Sequence, residues 1–182
     1  MNILVIGNEQ GADECKAKFG SAHNYIRASN HADAQMPLAS ADVVFDFELA
    51  ETPAGISTYT TNTTPVFVNT AKKSLAGLTK GEDVKANLFG FNGLPTFLNR
   101  PLLETSVIRK EDVQALDEIC KKLSTEFSVV DDRVGLVTPR IICMIINEAY
   151  YTVQEGTATR EDIDLAMRLG TNYPYGPFEW CQ

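Results

Sequence analysis

The chain has 182 residues, of which 44% are hydrophobic and 22% charged, as in an ordinary globular protein rather than a disordered one. Its net charge of −8 and the lack of any run of more than two Lys or Arg exclude a typical nucleic-acid-binding protein and disfavour an anionic membrane surface. No apolar run reaches the roughly 18 residues that span a bilayer, and the start lacks the basic segment of a signal peptide.

The first two thirds of the chain alternate short apolar runs with weaker helical patterns, which is typical of an α/β protein with a parallel sheet. Strands are predicted at residues 2–6, 23–28, 41–47, 65–68, 86–91, 102–105 and 127–131. Helical segments are predicted around 10–19, from Thr52-Pro53 onward, and over 110–127.

From Thr138 onward the pattern is helical. Thr138 is a candidate cap, Pro139 suits the first turn and Gly156 suits the end of this helix. Its segment 141–146 is apolar all round, so we expect it to be buried on every side. Two environments would achieve this, the core of the domain or an interface between subunits.

A second, shorter helix follows. Thr159 and Asp162 form a capping-box pattern, and Gly170 is predicted to end the helix. The change of character from alternating to helical sequence places the boundary between two domains near 132–136.

The cysteines give no sign of a metal site or a disulfide framework. Cys15, Cys120, Cys143 and Cys181 form no CxxC pair. Cys120 and Cys143 lie in apolar helical patterns, so we expect their thiols to be buried. This use of cysteine favours a reducing, cytoplasmic location, and no metal is predicted.

Glycines follow the first predicted strand, as a dinucleotide-binding turn requires. Gly7, Asn8 and Gly11 are therefore the candidate cofactor-binding residues. Such a turn needs glycine where the backbone approaches a diphosphate and where the helix packs on the strand.

The rest of this turn departs from the G-x-G-x-x-G pattern. Glu9 stands at the second glycine position, where it adds a negative charge, and Ala12 stands at the third. No acidic residue for a ribose follows the second strand, since residues 27–30 read Arg-Ala-Ser-Asn. Two interpretations remain open: an NAD site, and a plain strand-to-helix turn, which these departures favour.

The C-terminal motifs resemble the helical domain of the 3-hydroxyacyl-CoA dehydrogenases over residues 133–180. The matching segments, in order, are residues 147–149, 155–159, 162–167 and 169–179. The resemblance implies a reduced Rossmann-like domain over 1–132. It further implies an all-α domain of the 6-phosphogluconate dehydrogenase C-terminal-like type over 133–182, which in the family continues further. It also implies NAD-dependent oxidation of a 3-hydroxyacyl-CoA in fatty-acid metabolism, with a helical domain that closes over the acyl-CoA and commonly forms the dimer.

The family's active positions can be followed back along this chain. The family's Asn-Thr-Ser turn reads Asn69-Thr70-Ala71, so its substrate-binding serine is alanine. Glu104 stands where the family has its glutamate, and counting back twelve residues places Asn92 where it has histidine. The family's Asn-Arg at the start of the long helix reads Pro139-Arg140.

These changes affect the chemistry, because oxidation of a 3-hydroxyl needs a base that takes its proton. Histidine does this near pH 7, whereas the amide of Asn92 cannot. His23 and His31 lie early in the chain and are expected at the surface. Lys72 and Lys73 follow the Asn69 turn, either to meet a CoA phosphate or as solvated surface residues.

The sequence therefore predicts a 3-hydroxyacyl-CoA dehydrogenase-like protein with impaired catalysis. One alternative is a non-catalytic subunit that binds acyl-CoA or dimerises, either with itself or with a related subunit. Another is a working enzyme in which the alignment at Asn92 is shifted, or in which Glu104 or His23 acts as the base.

Overall fold

The computed structural model describes residues 1–181. The chain divides into two compact units, Met1–Leu136 and Val137–Gln182. The first unit is built on a sheet and the second on helices.

The first unit contains a seven-stranded sheet with the order β2-β1-β3-β4-β5-β6-β7. Its strands are β1 (Asn2–Ile6), β2 (Asn24–Ala28), β3 (Val43–Asp46), β4 (Val66–Asn69), β5 (Leu88–Phe91), β6 (Leu102–Val107) and β7 (Glu126–Val130). Neighbouring strands pair in parallel except β5 with β6, which are antiparallel. The predicted α/β fold with a largely parallel sheet followed by helices is confirmed, and a strand occupies each predicted position.

Both faces of this sheet are covered, which explains why the strand sequences are apolar runs rather than alternating patterns. The helices of this unit are α1 (Glu9–Phe19), α2 (His31–Leu38), α3 (Leu75–Leu78) and α4 (Asp112–Lys122), with a 3₁₀ helix at Pro53–Tyr59. One apolar cluster joins the sheet to α1 and α4, and a second joins it to α2, α3 and the 3₁₀ helix.

Three helical features of this unit differ from the prediction. Helix α2 was not predicted, because its eight residues include Pro37 and show little amphipathic period. Helix α4 is shorter than the predicted 110–127, since the chain already extends into β7 at Glu126. Thr52 precedes Pro53 as predicted, but its hydroxyl donates to the carbonyl of Glu48 and does not cap the 3₁₀ helix.

The second unit consists of α5 (Thr138–Gln154), α6 (Arg160–Thr171) and a short 3₁₀ helix at Glu179–Cys181. The predicted capping box is confirmed, since the Asp162 amide donates to the Thr159 hydroxyl at 3.2 Å. Thr138 is the first residue of α5, so Val137 and not Thr138 takes the cap position, while Gly156 follows the helix with a φ of +73°.

The prediction that segment 141–146 is buried on every side is wrong for the chain as described. Ile142 is buried, but Ile141 and Met144 are more than half exposed. Cys143 is also exposed, contrary to the expected buried thiol, whereas Cys120 is buried as predicted. Burial of this segment in a subunit interface stays a prediction.

No helix within residues 1–181 is both long and apolar enough to cross a membrane.

Candidate functional site

The sheet topology creates a crevice at the carboxyl ends of β1 and β3. The chain passes from β1 to β2 on one side and then returns to β3 on the other side of β1. Ligands of open α/β sheets bind at such a switch point. A cleft of about 190 Å³ lies there, lined by Asn8, Gln10, Gly11, Glu14, Phe47, Glu48, Glu51, Asn69, Lys72, Gly93, Leu94 and Pro95. We call it the switch-point cleft.

Two of the three predicted cofactor-binding residues, Asn8 and Gly11, line this cleft. Gly7 directly follows β1 and has a φ of +149°, a conformation that favours glycine. Asn8 caps α1, and its Oδ1 accepts a hydrogen bond from the Gly11 amide at 3.0 Å. The turn therefore has the strand–turn–helix shape that the sequence predicted.

Phe47, which no sequence motif singles out, packs directly against this turn. A Cβ on Gly11 would lie 3.1 Å from ring carbons of Phe47, and one on Gly7 would lie 3.0 Å from the Phe47 Cβ. The ring also meets the buried Phe91 edge to face, with 5.1 Å between centroids. Close packing of Phe47 thus explains why glycine stands at both positions, without any need for a bound ligand.

The switch-point cleft carries more negative than positive side chains. Glu14, Glu48 and Glu51 line it, together with a single lysine, Lys72. The Lys72 ammonium lies 2.5 Å from the Glu51 carboxylate, and this contact holds the pKa of Glu51 below its usual range. Glu14 accepts a hydrogen bond from the Thr96 amide at 2.6 Å, which ties the loop after β5 to α1.

Glu9 lies elsewhere. It is the exposed first residue of α1 and lines a separate recess of about 110 Å³ that faces β2 and includes Lys16 and Arg27. Arg27 donates to the carbonyl of Gly7 at 3.2 Å. The side chain expected to obstruct a diphosphate therefore does not line the switch-point cleft, and Phe47 stands there instead.

The two predicted catalytic residues, Asn92 and Glu104, occupy neighbouring positions at one end of the antiparallel β5–β6 pair. Phe91 pairs with Thr105, so Asn92 and Glu104 are the next residues beyond that pair on the two strands. Asn92 is 4% exposed, and its Oδ1 accepts a hydrogen bond from the Leu94 amide at 3.2 Å. Asn92 therefore organises the turn after β5, and neither Asn92 nor Glu104 lines the cleft.

The predicted substrate-binding residues are divided by the structure. Asn69 ends β4 and lines the cleft, where its Oδ1 accepts hydrogen bonds from the amides of Ala71 and Gly93. Lys72 also lines the cleft, paired with Glu51. Lys73 is exposed and does not line it.

A buried polar cluster lies near the carboxyl end of β3. The Asp46 carboxylate is fully buried and accepts hydrogen bonds from His31 and Tyr59, both at 2.7 Å. Two backbone amides, of Glu48 and Leu49, complete its coordination. The prediction that His31 lies at the surface is wrong, since its side chain is only 12% exposed.

In the second unit, the motif residues of the resemblance hold one another in place. Asp164 accepts a hydrogen bond from the Phe178 amide at 2.8 Å. Glu179 accepts from the Gly176 amide and from Arg168, both at 2.7 Å. Gly176 packs so closely that an added Cβ would come within 2.2 Å of Asp164. These motif residues therefore form a structural clasp.

No group of His, Cys, Asp or Glu side chains within the described residues is arranged to hold a metal ion.

Comparisons with known proteins fit this architecture. Residues 135–182 match the family model of the 3-hydroxyacyl-CoA dehydrogenase C-terminal domain. FadB2 of M. tuberculosis has the same fold, with a TM-score of 0.66, 16% identity, and coverage of 96% of this chain and 79% of that one. This likeness shows the fold alone, an α/β sheet unit followed by a helical unit.

The curated relatives match over part of their length. The mitochondrial hydroxyacyl-coenzyme A dehydrogenase of Mus musculus is 32% identical over 106 residues, which are 58% of this chain and 34% of that protein. The 3-hydroxyadipyl-CoA dehydrogenase of Escherichia coli K12 is 53% identical over 51 residues, which are 28% of this chain and 11% of that protein. Residues 135–182 thus match the C-terminal domain of the 3-hydroxyacyl-CoA dehydrogenases, as the motifs predicted, and the chain spans about a third or less of the length of these two relatives.

Proposed function

We propose that the chain is a 3-hydroxyacyl-CoA dehydrogenase-like protein of acyl-CoA metabolism whose catalysis is impaired. The observation that carries this proposal is the position of Asn92. It follows β5 beside the Phe91–Thr105 pair, where the family resemblance expects histidine next to the glutamate at Glu104. An amide at this position has no usable proton affinity.

The local contacts of Asn92 support the proposal. Its carbonyl oxygen is used by the Leu94 amide, and its side chain is buried in the turn. Loss of a general base typically costs on the order of 10²–10⁴ in rate. Ala71 and Pro139 replace two further polar residues of the family pattern, so the loss is not confined to one group.

The test is oxidation of NADH by the full chain with acetoacetyl-CoA as substrate. Turnover below about 1 s⁻¹, the low end of ordinary enzymes, is expected. Faster turnover would reject the proposed impairment and favour the working enzyme. In that case Glu104→Gln should abolish the activity, whereas in an impaired protein it should change nothing. A gain of turnover in Asn92→His would support the assignment of this position.

A second candidate function is a non-catalytic subunit that binds acyl-CoA or dimerises. Exposed apolar side chains of α5, such as Ile141 and Met144, favour a role in association. Lys72 and Lys73 are the proposed contacts for a CoA phosphate, although Lys72 would first have to leave Glu51. Calorimetric titration with acetoacetyl-CoA tests this role. Binding that weakens in Lys73→Ala but not in the control Lys80→Ala would support it.

We further propose that the chain consists of a reduced Rossmann-like domain over 1–132 and a helical family domain over 133–182. The proposed location is the cytoplasm, although the Mus musculus relative is a mitochondrial enzyme. Fractionation of cells that express the natural gene would decide between these compartments.

A further inference from the structure

We infer that Phe47 fills the phosphate-binding side of the β1–α1 turn and that the switch-point cleft therefore excludes NAD(H). The inference rests on the proposed function for its choice of ligand and adds a second cause of impairment, separate from the missing base. A dinucleotide turn has three requirements: open space beside its glycines, free amides at the helix start, and no repulsive charge.

Space is the first requirement, and the ring of Phe47 takes it. The glycines of such a turn normally allow a diphosphate to approach the backbone. Here the direction in which a Gly11 Cβ would point is closed at 3.1 Å by the ring. The Phe47 amide donates to the Ile6 carbonyl at 2.9 Å and the ring packs on Phe91, so backbone and side chain are both held.

Free amides are the second requirement. An anion at a helix start is bound by backbone N–H groups that have no partner within the helix. The Gly11 amide already donates to the Asn8 side chain at 3.0 Å. A diphosphate would have to displace this cap, which typically contributes about 1 kcal/mol in helices.

Charge is the third requirement, and here it has the wrong sign. A Glu48 carboxylate oxygen would lie 3.7 Å from a Cβ on Gly7, so a negative charge stands at the turn itself. Glu14 and Glu51 add two carboxylates to the lining, and Lys72 is paired with Glu51. The repulsion between these carboxylates and a negatively charged diphosphate would disfavour its binding in the cleft.

The volume of the cleft and the residues after β2 also argue against a bound dinucleotide. The cleft of about 190 Å³ is smaller than the roughly 300–1,000 Å³ of sites for drug-sized ligands. After β2, where a ribose-binding carboxylate would stand, Asn30 instead caps α2 by accepting a hydrogen bond from the Asp33 amide.

The experiment measures direct binding of NADH and NADPH to the full chain by calorimetry and by nicotinamide fluorescence. The variants are Phe47→Ala, Phe47→Ala combined with Glu48→Gln, and the matched control Phe97→Ala, a half-buried phenylalanine outside the cleft. We expect no binding by wild type or by the control up to about 1 mM nucleotide. Phe47→Ala should bind NADH at least about tenfold more tightly, and the double variant more tightly still.

Two results would overturn the inference. One is binding of either nucleotide to the wild type with a Kd below about 0.1 mM. The other is a folded Phe47→Ala, or Phe47→Leu if alanine unfolds the chain by circular dichroism, that binds no better than wild type. Nucleotide binding to a wild type that shows no turnover would reject the role of Phe47 while leaving the proposed impairment intact.

Discussion

The Nε2 atom of His31 donates a hydrogen bond to Oδ2 of Asp46 across 2.7 Å, and so joins the start of α2 to the end of β3. The His31 ring also packs on the backbone of Gly55, where an added Cβ would come within 2.5 Å of it. Asp46 is fully buried, so its carboxylate depends on these donors. A buried charge without partners costs several kcal/mol, and the cluster therefore fixes α2 and the 3₁₀ helix on the sheet.

The first prediction removes one donor of this cluster. Tyr59→Phe deletes the hydroxyl that donates to Asp46 at 2.7 Å, and we expect the free energy of unfolding to fall by about 1.5–3 kcal/mol, as for hydrogen bonds to charged groups. Urea denaturation at neutral pH measures this change. Tyr151→Phe, at an exposed tyrosine, is the control and should change stability by less than about 0.5 kcal/mol. Equal effects of both variants would contradict the role of the cluster.

The second prediction concerns stability in alkali. Burial raises the pKa of Cys15 far above its usual range and raises the pKa of Cys120 to about 12. An unfolded chain loses its thiol protons near pH 8.5 while the folded chain retains them, so stability is fully present below that pH and is lost above it. Each thiol should lower the free energy of unfolding by about 1.4 kcal/mol per pH unit above roughly pH 9.

This slope can be measured by urea denaturation under reducing conditions between about pH 8.5 and pH 9.5, below the midpoint near pH 10 at which tyrosine titrates in the unfolded chain. Replacing both Cys15 and Cys120 by alanine should remove most of the slope. Cys143→Ala, at an exposed cysteine, should leave it unchanged. A slope that persists in the double variant would show that other groups cause it.

The third prediction tests the clasp of the second unit. Gly176→Ala would place a methyl carbon 2.2 Å from Asp164, which is itself held by the Phe178 amide, so relief requires a hydrogen bond to break. We expect a loss of about 1–3 kcal/mol in stability, measured by thermal or urea unfolding. The control is Gly170→Ala, because nothing lies within 4 Å of its Cβ position in α6. Alanine favours a helix there, so that variant should gain up to about 1 kcal/mol.

These contacts show which features the sequence could predict. Apolar runs locate the strands because burial on both faces of a parallel sheet leaves a local signature. The capping box of Thr159 and Asp162 is equally local. Helix α2 lacks such a signal, since it contains Pro37 and little apolar period, and it was missed.

The sequence could not predict which side chains contact one another when the contact depends on the strand order of the sheet. His31 and Asp46 are fifteen residues apart and meet because β3 lies beside β1 and α2 covers that face. Phe47 reaches Gly11 for the same reason, through a pairing that no local pattern encodes. The family resemblance pointed to Asn92 and Glu104 as candidate catalytic positions. The register of β5 and β6 places both residues next to the Phe91–Thr105 pair.

The last prediction concerns the apolar stripe of α5. Val137, Ile141, Met144 and Tyr151 recur at spacings of four, three and seven residues, and all are exposed. Such a stripe is typical of a helix that packs on a partner, and we expect a dimer of the 20.0 kDa chain in size-exclusion chromatography with light scattering. Met144→Glu should shift the mass to that of a monomer, because the carboxylate would be desolvated in the interface. Met36→Glu, at a methionine that is 87% exposed in the first unit, should leave the dimer intact. A monomeric wild type would contradict self-association and leave a different subunit as the partner of this stripe.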